Sequence, residues 1–261
     1  MRPLLAHVTL RGTLRERSVE PVLRILRAVR ERNRFRGVLL DISSGGGAAV
    51  ASHELFLAVR RLNAVKPVVA SIGEMAASGG YLAAVGARRI YAFPDSAVGS
   101  IGVLYPHIAV KKLLDRLGVE VDLIHQGSHK DAYQGYRSLT EEERAGILAM
   151  AKEGYDEFVE TVATARSRPV AEIRALATGE VFRGRTALRL GLIDALGDHE
   201  EALEELGRLA GVSPRRTVRV EPPRPFLERV LSGSLRSIGP ALRGGLGEAL
   251  EDLVWEGWRG G

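Results

Sequence analysis

Cysteine is absent from the 261-residue chain, and aromatic residues make up only 5% of it. Without cysteine the chain forms no disulfide, binds no metal through thiolates and has no cysteine nucleophile. Scarce aromatic side chains argue against a surface that stacks nucleic-acid bases, so we expect no nucleic-acid partner. No segment approaches 18 uninterrupted apolar residues, and the N-terminus lacks the apolar core of a signal peptide. We therefore expect a cytoplasmic or membrane-associated protein, either without a membrane anchor or with its native anchor removed.

Lysine is also scarce, because only five of the 37 basic residues are lysines and the rest are arginines. The net charge is +5, and most of the excess comes from arginines scattered through predicted helices. Two interpretations stay open: weak attraction to an anionic membrane surface, and ordinary solvated helix faces. With 45% apolar residues, the chain has enough apolar side chains for the core of one large domain.

Predicted strands and helices alternate at short intervals through most of the chain, which is typical of an α/β fold with a parallel sheet. The apolar run at 68–72 predicts a buried strand that Gly73 ends, and 119–124 predicts another strand. Helical spacing predicts a helix at 108–117. A long helix is expected from Thr140, where Glu143 completes a capping box.

The sequence predicts a main domain at residues 1–213 and a C-terminal extension at 214–261. The extension is expected to hold a short strand at 217–220, a proline-rich linker and amphipathic helical pieces between Phe226 and Trp258. These pieces either pack onto their own domain or contact a neighbouring subunit or a membrane surface. The sequence leaves both interpretations open.

Ser78 follows the predicted buried strand and stands between Ala77 and two glycines, where no bulky side chain shields it. A serine at the first turn of a helix faces free backbone N–H groups and the positive end of the helix dipole. That setting suits an oxygen nucleophile and the oxyanion that its attack creates. The alternative is that Ser78 only caps the helix, which is a common role for serine.

A serine nucleophile needs a base. Among the six histidines only His129, near Asp131, has a carboxylate partner in a predicted loop. Lys130 lies in the same polar loop, after the predicted strand at 119–124. A lysine acts as a base only where burial brings its pKa from about 10.4 toward neutrality. The alternative is a solvated loop lysine paired with Asp131.

Three glycines, Gly45 to Gly47, separate a predicted buried strand from a predicted helix. Glycines let a backbone approach a substrate closely and turn its N–H groups inward, as an oxyanion hole requires. A phosphate-binding turn or a plain strand–helix connection is the alternative. The spacing is not G-x-G-x-x-G, because Val50 stands at the third glycine position, and no G-K-[ST] follows. A dinucleotide site or a P-loop is therefore disfavoured.

Taken together, the motifs resemble the signal peptide peptidase A family of Ser–Lys dyad proteases, which is related to the Clp protease proteolytic subunit and to the crotonase fold. The resemblance covers about residues 5 to 210. It rests on six blocks in the right order: the loop at 43–52, KPVVASIGEMAASGGYL at 66–82, FPDSAVGSIGV at 93–103, GSHKD at 127–131, LTEEER at 139–144 and the segment at 181–194. The chain departs from the family at Ser43, Gly45, Ala49 and Leu82.

The resemblance implies a ClpP/crotonase-like α/β fold of repeated ββα units with a parallel sheet, plus a C-terminal helical extension. It implies that Ser78 is the nucleophile and Lys130 the base, with Gly79 and either Gly46 or Gly47 forming the oxyanion hole. Substrates would be apolar extended peptides, such as cleaved signal peptides or misfolded fragments. Relatives resemble rings with the dyad shared between adjacent subunits, and no cofactor or metal is implied for the reaction.

Two other functions are alternatives to peptide hydrolysis. A non-catalytic scaffold of the same fold would keep the ring and the basic tail, but it would need neither Ser78 nor Lys130. Acyl-CoA chemistry on a crotonase fold is disfavoured, because no matching acidic pair lies near the Gly46 or Gly79 loops.

Overall fold

A computed structural model describes residues 2–221. The linker at Pro222, Pro223 and Pro225 and the amphipathic pieces predicted between 226 and 258 lie outside the described residues. None of the helices within residues 2–221 combines the length and the apolarity that a membrane crossing requires.

An eight-stranded sheet forms the centre of the described chain. Its strands are β1 (Leu4–Arg11), β2 (Phe35–Ser44), β3 (Val68–Ala77), β4 (Arg89–Ala92), β5 (Ala97–Gly99), β6 (Val181–Arg183), β7 (Ala195–Leu196) and β8 (Thr217–Arg219). The main path runs β6-β5-β3-β2-β1-β8, and β4 pairs with β3 and β7. Every pairing described is parallel except that of β5 with β6. The strand predicted near Thr217 thus belongs to this sheet, as the neighbour of β1.

Helices cover both faces of the sheet. They are α1 (Glu16–Glu31), α2 (Ala49–Asn63), α3 (Gly79–Ala84), α4 (Lys111–Arg116), α5 (Glu141–Arg166), α6 (Val170–Leu176), α7 (Gly184–Arg189) and α8 (His199–Ala210). The larger core joins one face of the sheet to α1, α2, α3 and the C-terminal half of α5, whereas α8 packs on the opposite face. The predicted α/β class with a mainly parallel sheet is confirmed.

The long helix α5 starts as the sequence predicts. Thr140 is its N-cap and accepts a hydrogen bond from the Glu143 N–H, while the Glu143 carboxylate accepts one from the Thr140 N–H. Such a reciprocal pair satisfies two backbone donors that a helix start otherwise leaves free. The predicted capping box is therefore confirmed.

Gly73 does not end β3, so that prediction was wrong. The strand runs on to Ala77, and it changes partner at this point: residues 69–72 pair with β4, and residues 75–77 pair with β5. The register with β2 also shifts here, because Ile42 faces Ile72 and Ser44 faces Ala76. Glycine fits this irregularity, since a Cβ at Gly73 would lie 2.7 Å from Ser43 Oγ. The continuation carries the chain to Ser78.

The segment at 103–136, here called the unburied segment, departs most from the sequence expectations. Residues 119–124 form no strand, and the helix predicted at 108–117 shrinks to Lys111–Arg116. Most of its large apolar side chains face solvent: Ile124 is 95% exposed, Leu104 80% and Ile108 75%. The alternating apolar pattern is real, but within one described chain the segment has neither a neighbouring strand nor a core to pack on.

Candidate active site

Ser78 lies at the turn between β3 and α3 with a backbone conformation of φ 51° and ψ −122°. A positive φ is uncommon for a residue with a Cβ, and such strain costs about 1–3 kcal/mol and is concentrated at functional sites. The Ser78 N–H donates to Gly99 O at 2.8 Å, and the Leu82 N–H donates to Ser78 O at 2.9 Å. The turn is thus fixed by its backbone and presents a half-buried side chain.

The Ser78 side chain does not cap α3. It occupies the N-cap position, yet it accepts no capping hydrogen bond, and no hydrogen bond to its Oγ exists within residues 2–221. The simple capping interpretation therefore fails. A strained serine at a sharp strand-to-helix turn, with a hydroxyl free to react, is instead the arrangement of a nucleophile elbow.

Glycines surround Ser78 because the backbones there approach too closely for a side chain. A Cβ on Gly46 would lie 2.6 Å from Gly79 N and 2.8 Å from Ser78 Cβ. A Cβ on Gly79 would lie 1.9 Å from Ser52 Oγ, and one on Gly80 would lie 2.5 Å from Ser44 O. The glycine loop after β2 and the start of α3 are therefore in direct contact around the candidate nucleophile.

Leu14 and Ser44 hold the glycine loop in place. The Leu14 N–H donates to Gly46 O, and the Ala48 N–H donates to Leu14 O, each at 2.8 Å. The Gly46 N–H donates to Ser44 Oγ at 3.1 Å, and that hydroxyl donates to Gly12 O at 2.6 Å. Gly46 and Gly47 have φ values of 91° and 158°, and the first of these favours glycine.

Backbone donors remain unused at the start of α3 and in the glycine loop that contacts it. Gly79 is the first residue of α3, so its N–H has no partner within the helix, and no side chain caps it. The Gly47 N–H also makes no hydrogen bond within residues 2–221, whereas the Gly46 N–H is engaged by Ser44. Gly46 therefore contributes close contact, whereas Gly47, like Gly45, has an N–H group without a hydrogen-bond partner within residues 2–221.

The substitution Gly46→Ala is expected to lower kcat by about 10²–10³-fold, comparable to the loss of one oxyanion-hole donor. The new methyl group would push against Gly79 N and would require a side chain at φ 91°. Peptide hydrolysis under saturating substrate measures the effect. Gly146→Ala is the matched control, because nothing lies within 4 Å of a Cβ at this exposed position in α5. A Gly46→Ala protein with unchanged kcat would refute the close-contact argument.

Lys130 is not brought to Ser78 within one chain. Its side chain is exposed in the loop before α5, its backbone N–H donates to Gly127 O at 3.2 Å, and its amine makes no hydrogen bond to Ser78 within residues 2–221. The histidines do not replace it: His129 lies 3.7 Å from Glu142 and 3.9 Å from Glu143, and it makes no contact with the Ser78 hydroxyl that would form a triad.

Arg137, which the sequence reasoning missed, fixes the loop that carries Lys130. Its guanidinium donates to both carboxylate oxygens of Asp131, at 2.8 and 2.9 Å, and to both of Glu143, at 2.8 and 2.6 Å. These hydrogen bonds lower the pKa of Asp131 and lower that of Glu143 from 4.5 to about 2. Lys130 is thereby tied to the start of α5 through its neighbour Asp131.

A family model described as "Peptidase family S49" matches residues 60–213, a span that contains Ser78, Lys130 and Arg137. The chain belongs to peptidase family S49. The resemblance to the signal peptide peptidase A family is thereby confirmed, and so is the classification as a protease.

Individual S49 relatives agree. The chain is 33% identical over 257 residues to "Putative protease slr0021" of Synechocystis sp., covering 98% of this chain and 92% of that protein. It is 33% identical over 236 residues to "Serine protease SPPA, chloroplastic" of Arabidopsis thaliana, covering 88% of this chain and 35% of that protein. It is 33% identical over 178 residues to "Protease 4" of Salmonella typhi, covering 68% of this chain and 29% of that protein. The chain therefore spans nearly all of the first relative and about a third of the others.

Proposed function

We propose that this S49 protein is a serine endopeptidase in which Ser78 attacks the peptide carbonyl and Lys130 is the base. One observation carries the proposal: Ser78 is held at φ 51° on a strand-to-helix turn, with its hydroxyl unpartnered, the adjacent Gly79 N–H unused and the Gly47 N–H unused in the glycine loop. Ser100 and Ser167 share the positive φ, so the support comes from its combination with a free hydroxyl and the free N–H groups at the start of a helix.

The reaction follows from these groups. An unprotonated Lys130 amine takes the proton of Ser78 Oγ as that oxygen forms a bond to the carbonyl carbon. The Gly79 and Gly47 N–H groups stabilise the negative oxygen of the tetrahedral intermediate. The protonated lysine then gives its proton to the leaving amine as the peptide bond breaks. Water, deprotonated by the same lysine, hydrolyses the acyl-enzyme and returns the serine hydroxyl.

The lysine is proposed to come from a neighbouring copy of the chain. Lys130 is exposed and makes no hydrogen bond to Ser78 of its own chain within residues 2–221. The unburied segment that precedes and includes it exposes many apolar side chains, and such a surface is typical of a protein–protein interface. A second copy that covers this segment would bury both its apolar side chains and the lysine, and burial favours the uncharged amine. A homo-oligomeric ring satisfies this requirement at every subunit.

The proposed substrates are extended apolar peptides, such as cleaved signal peptides or misfolded fragments. Ala97 in β5 is partly exposed and could line a peptide groove, but Ala76 in β3 is fully buried in the core and does not contribute. Support therefore comes from the partly exposed stretch of β3 at 73–75 and from the apolar unburied segment.

Covalent labelling tests the proposal. A fluorophosphonate probe should modify the full-length protein, and mass spectrometry of the digest should place the adduct on Ser78. The same protein after heat denaturation should take up no probe, because an unfolded serine lacks both base and oxyanion donors. Absence of labelling in a folded, fully assembled protein would favour the non-catalytic scaffold instead.

A further inference from the structure

Two histidines and an aspartate converge on the face of the sheet that α8 covers. The ligand atoms of His7 on β1, Asp41 on β2 and His199 at the start of α8 all lie within 4.8 Å of one another. His7 Nε2 and Asp41 Oδ2 are 3.4 Å apart, and the rings of His7 and His199 are 4.6 Å apart, centroid to centroid. We propose that these three side chains form a zinc-binding site.

The two-residue repeat of a β-strand places His7 and Asp41 on the same face of the sheet. Leu5 and Leu39 pack beneath α8, and the residues two further along each strand, His7 and Asp41, lie on the same face. His199 is the first residue of α8. It therefore lies where the face of the sheet beneath α8 changes from the apolar Leu5 and Leu39 to the polar His7 and Asp41. Three elements distant in sequence each supply one ligand, and all three side chains are at least partly buried.

Thr9 gives an independent indication that the cluster lacks a partner. Its Oγ1 is buried and makes no hydrogen bond in the described part of the chain. Thr9 pairs with Asp41 in the register of β1 and β2 and lies on the same face as His7, two residues earlier. A metal ion or its bound water would give this buried hydroxyl the partner that it lacks.

Arg11 does not fill the site. It donates to Asp41 Oδ2 at 2.7 Å from a side chain that is 56% exposed. Asp41 Oδ1 makes no hydrogen bond within residues 2–221 and remains available to a cation. Because Arg11 already neutralises the charge of the Asp41 carboxylate, His7 and His199 are not needed to form an ion pair with Asp41.

The ligand set favours zinc. Two imidazole nitrogens and one carboxylate oxygen suit Zn²⁺, whereas Ca²⁺ and Mg²⁺ prefer oxygen ligands alone. Ligand atoms bonded to zinc at about 2.0–2.2 Å lie roughly 3.4 Å apart in a tetrahedron. His7 Nε2 and Asp41 Oδ2 already have this spacing. Rotation of the Asp41 carboxylate would bring its free oxygen, Oδ1, into the same place, and side-chain rotation of His199 would complete the ligand set. A water or the Thr9 hydroxyl would take the fourth position.

The site is distinct from the proposed active site. Helix α3, which follows Ser78, packs on the opposite face of the sheet, with Ala6 and Val8. A bound zinc would join β1, β2 and the first residue of α8, and it would stabilise the fold rather than take part in peptide hydrolysis.

Zinc titration of the full-length, EDTA-stripped and dialysed protein tests the proposal. We expect calorimetry to give one Zn²⁺ per chain, with a melting temperature raised by about 5 °C or more at zinc concentrations ~100-fold above Kd. His7→Ala and His199→Ala should each weaken zinc binding by about tenfold or more. His53→Ala and His129→Ala are the matched controls, because both histidines lie outside the cluster, and they should bind zinc as the unsubstituted protein does.

Cobalt provides a readout that needs no variant. Co²⁺ added to the unsubstituted protein should give the visible absorption bands of a tetrahedral site, and Zn²⁺ should displace them. No saturable binding, or equal zinc affinity in the His7→Ala and His53→Ala proteins, would overturn the proposal. So would binding that is lost in His129→Ala, because the zinc would then lie at the Lys130 loop.

Discussion

Ser78→Ala is expected to lower kcat/KM for an apolar peptide by about 10⁴-fold or more, the scale on which removal of a catalytic serine acts. Alanine lacks the hydroxyl that forms the acyl-enzyme. It keeps the Cβ, so the backbone at φ 51° carries the same strain as before. The melting temperature should therefore hardly change, since Ser78 Oγ makes no hydrogen bond that the substitution would remove. Steady-state hydrolysis and thermal unfolding measure the two effects together.

Ser213→Ala is the control for this experiment. Ser213 is exposed, precedes a short 3₁₀ turn and makes no capping hydrogen bond. Its substitution should change neither activity nor stability. If the Ser78→Ala protein retained more than about a tenth of normal activity, the nucleophile would have to be another group, since loss of a true nucleophile costs far more.

Lys130→Met should have an effect of similar size, about 10⁴-fold in kcat/KM, because methionine keeps an unbranched side chain, one atom shorter, and removes the amine. Lys130→Arg should be equally inactive, since arginine stays protonated and cannot accept the serine proton. Neither change should destabilise the single chain, in which this side chain is exposed. Lys112→Met serves as the control, because Lys112 is also exposed and lies in the same unburied segment.

Retention of activity in the Lys130→Met protein would mean that another residue is the general base. His129, its neighbour in the chain, would then be the first candidate, and His129→Gln in the Lys130→Met protein would identify it. A loss that is equal in Lys130→Met and Lys112→Met would instead indicate damage to the assembly, which the molecular mass in solution would reveal.

Local sequence was enough to find the surroundings of Ser78. The apolar run of β3, the serine and the following glycines lie next to one another in the chain, and the strand, the turn and α3 follow in that order. The glycines at 45–47 are recognisable in the sequence because a loop of three glycines after a buried strand has few structural explanations. Their closeness to Ser78 follows from the parallel pairing of β2 with β3.

Features that depend on distant partners were not predictable. Gly73 has the local signature of a strand end, yet β3 continues because β5 replaces β4 as its neighbour. The pattern at 119–124 has the alternation of a strand, but a strand also needs a neighbour, which the described chain does not supply. Arg137 is one arginine among many, and only the fold shows that it bridges Asp131 and Glu143.

Mixing two inactive proteins tests the account most directly. Ser78→Ala chains supply an intact Lys130, and Lys130→Met chains supply an intact Ser78. If the two residues act across a subunit boundary, assemblies formed from equal amounts of both should regain up to about a quarter of normal activity, the fraction of randomly formed ring interfaces that join the two intact residues. Mixed assemblies that contain both chains and stay inactive would contradict the shared site.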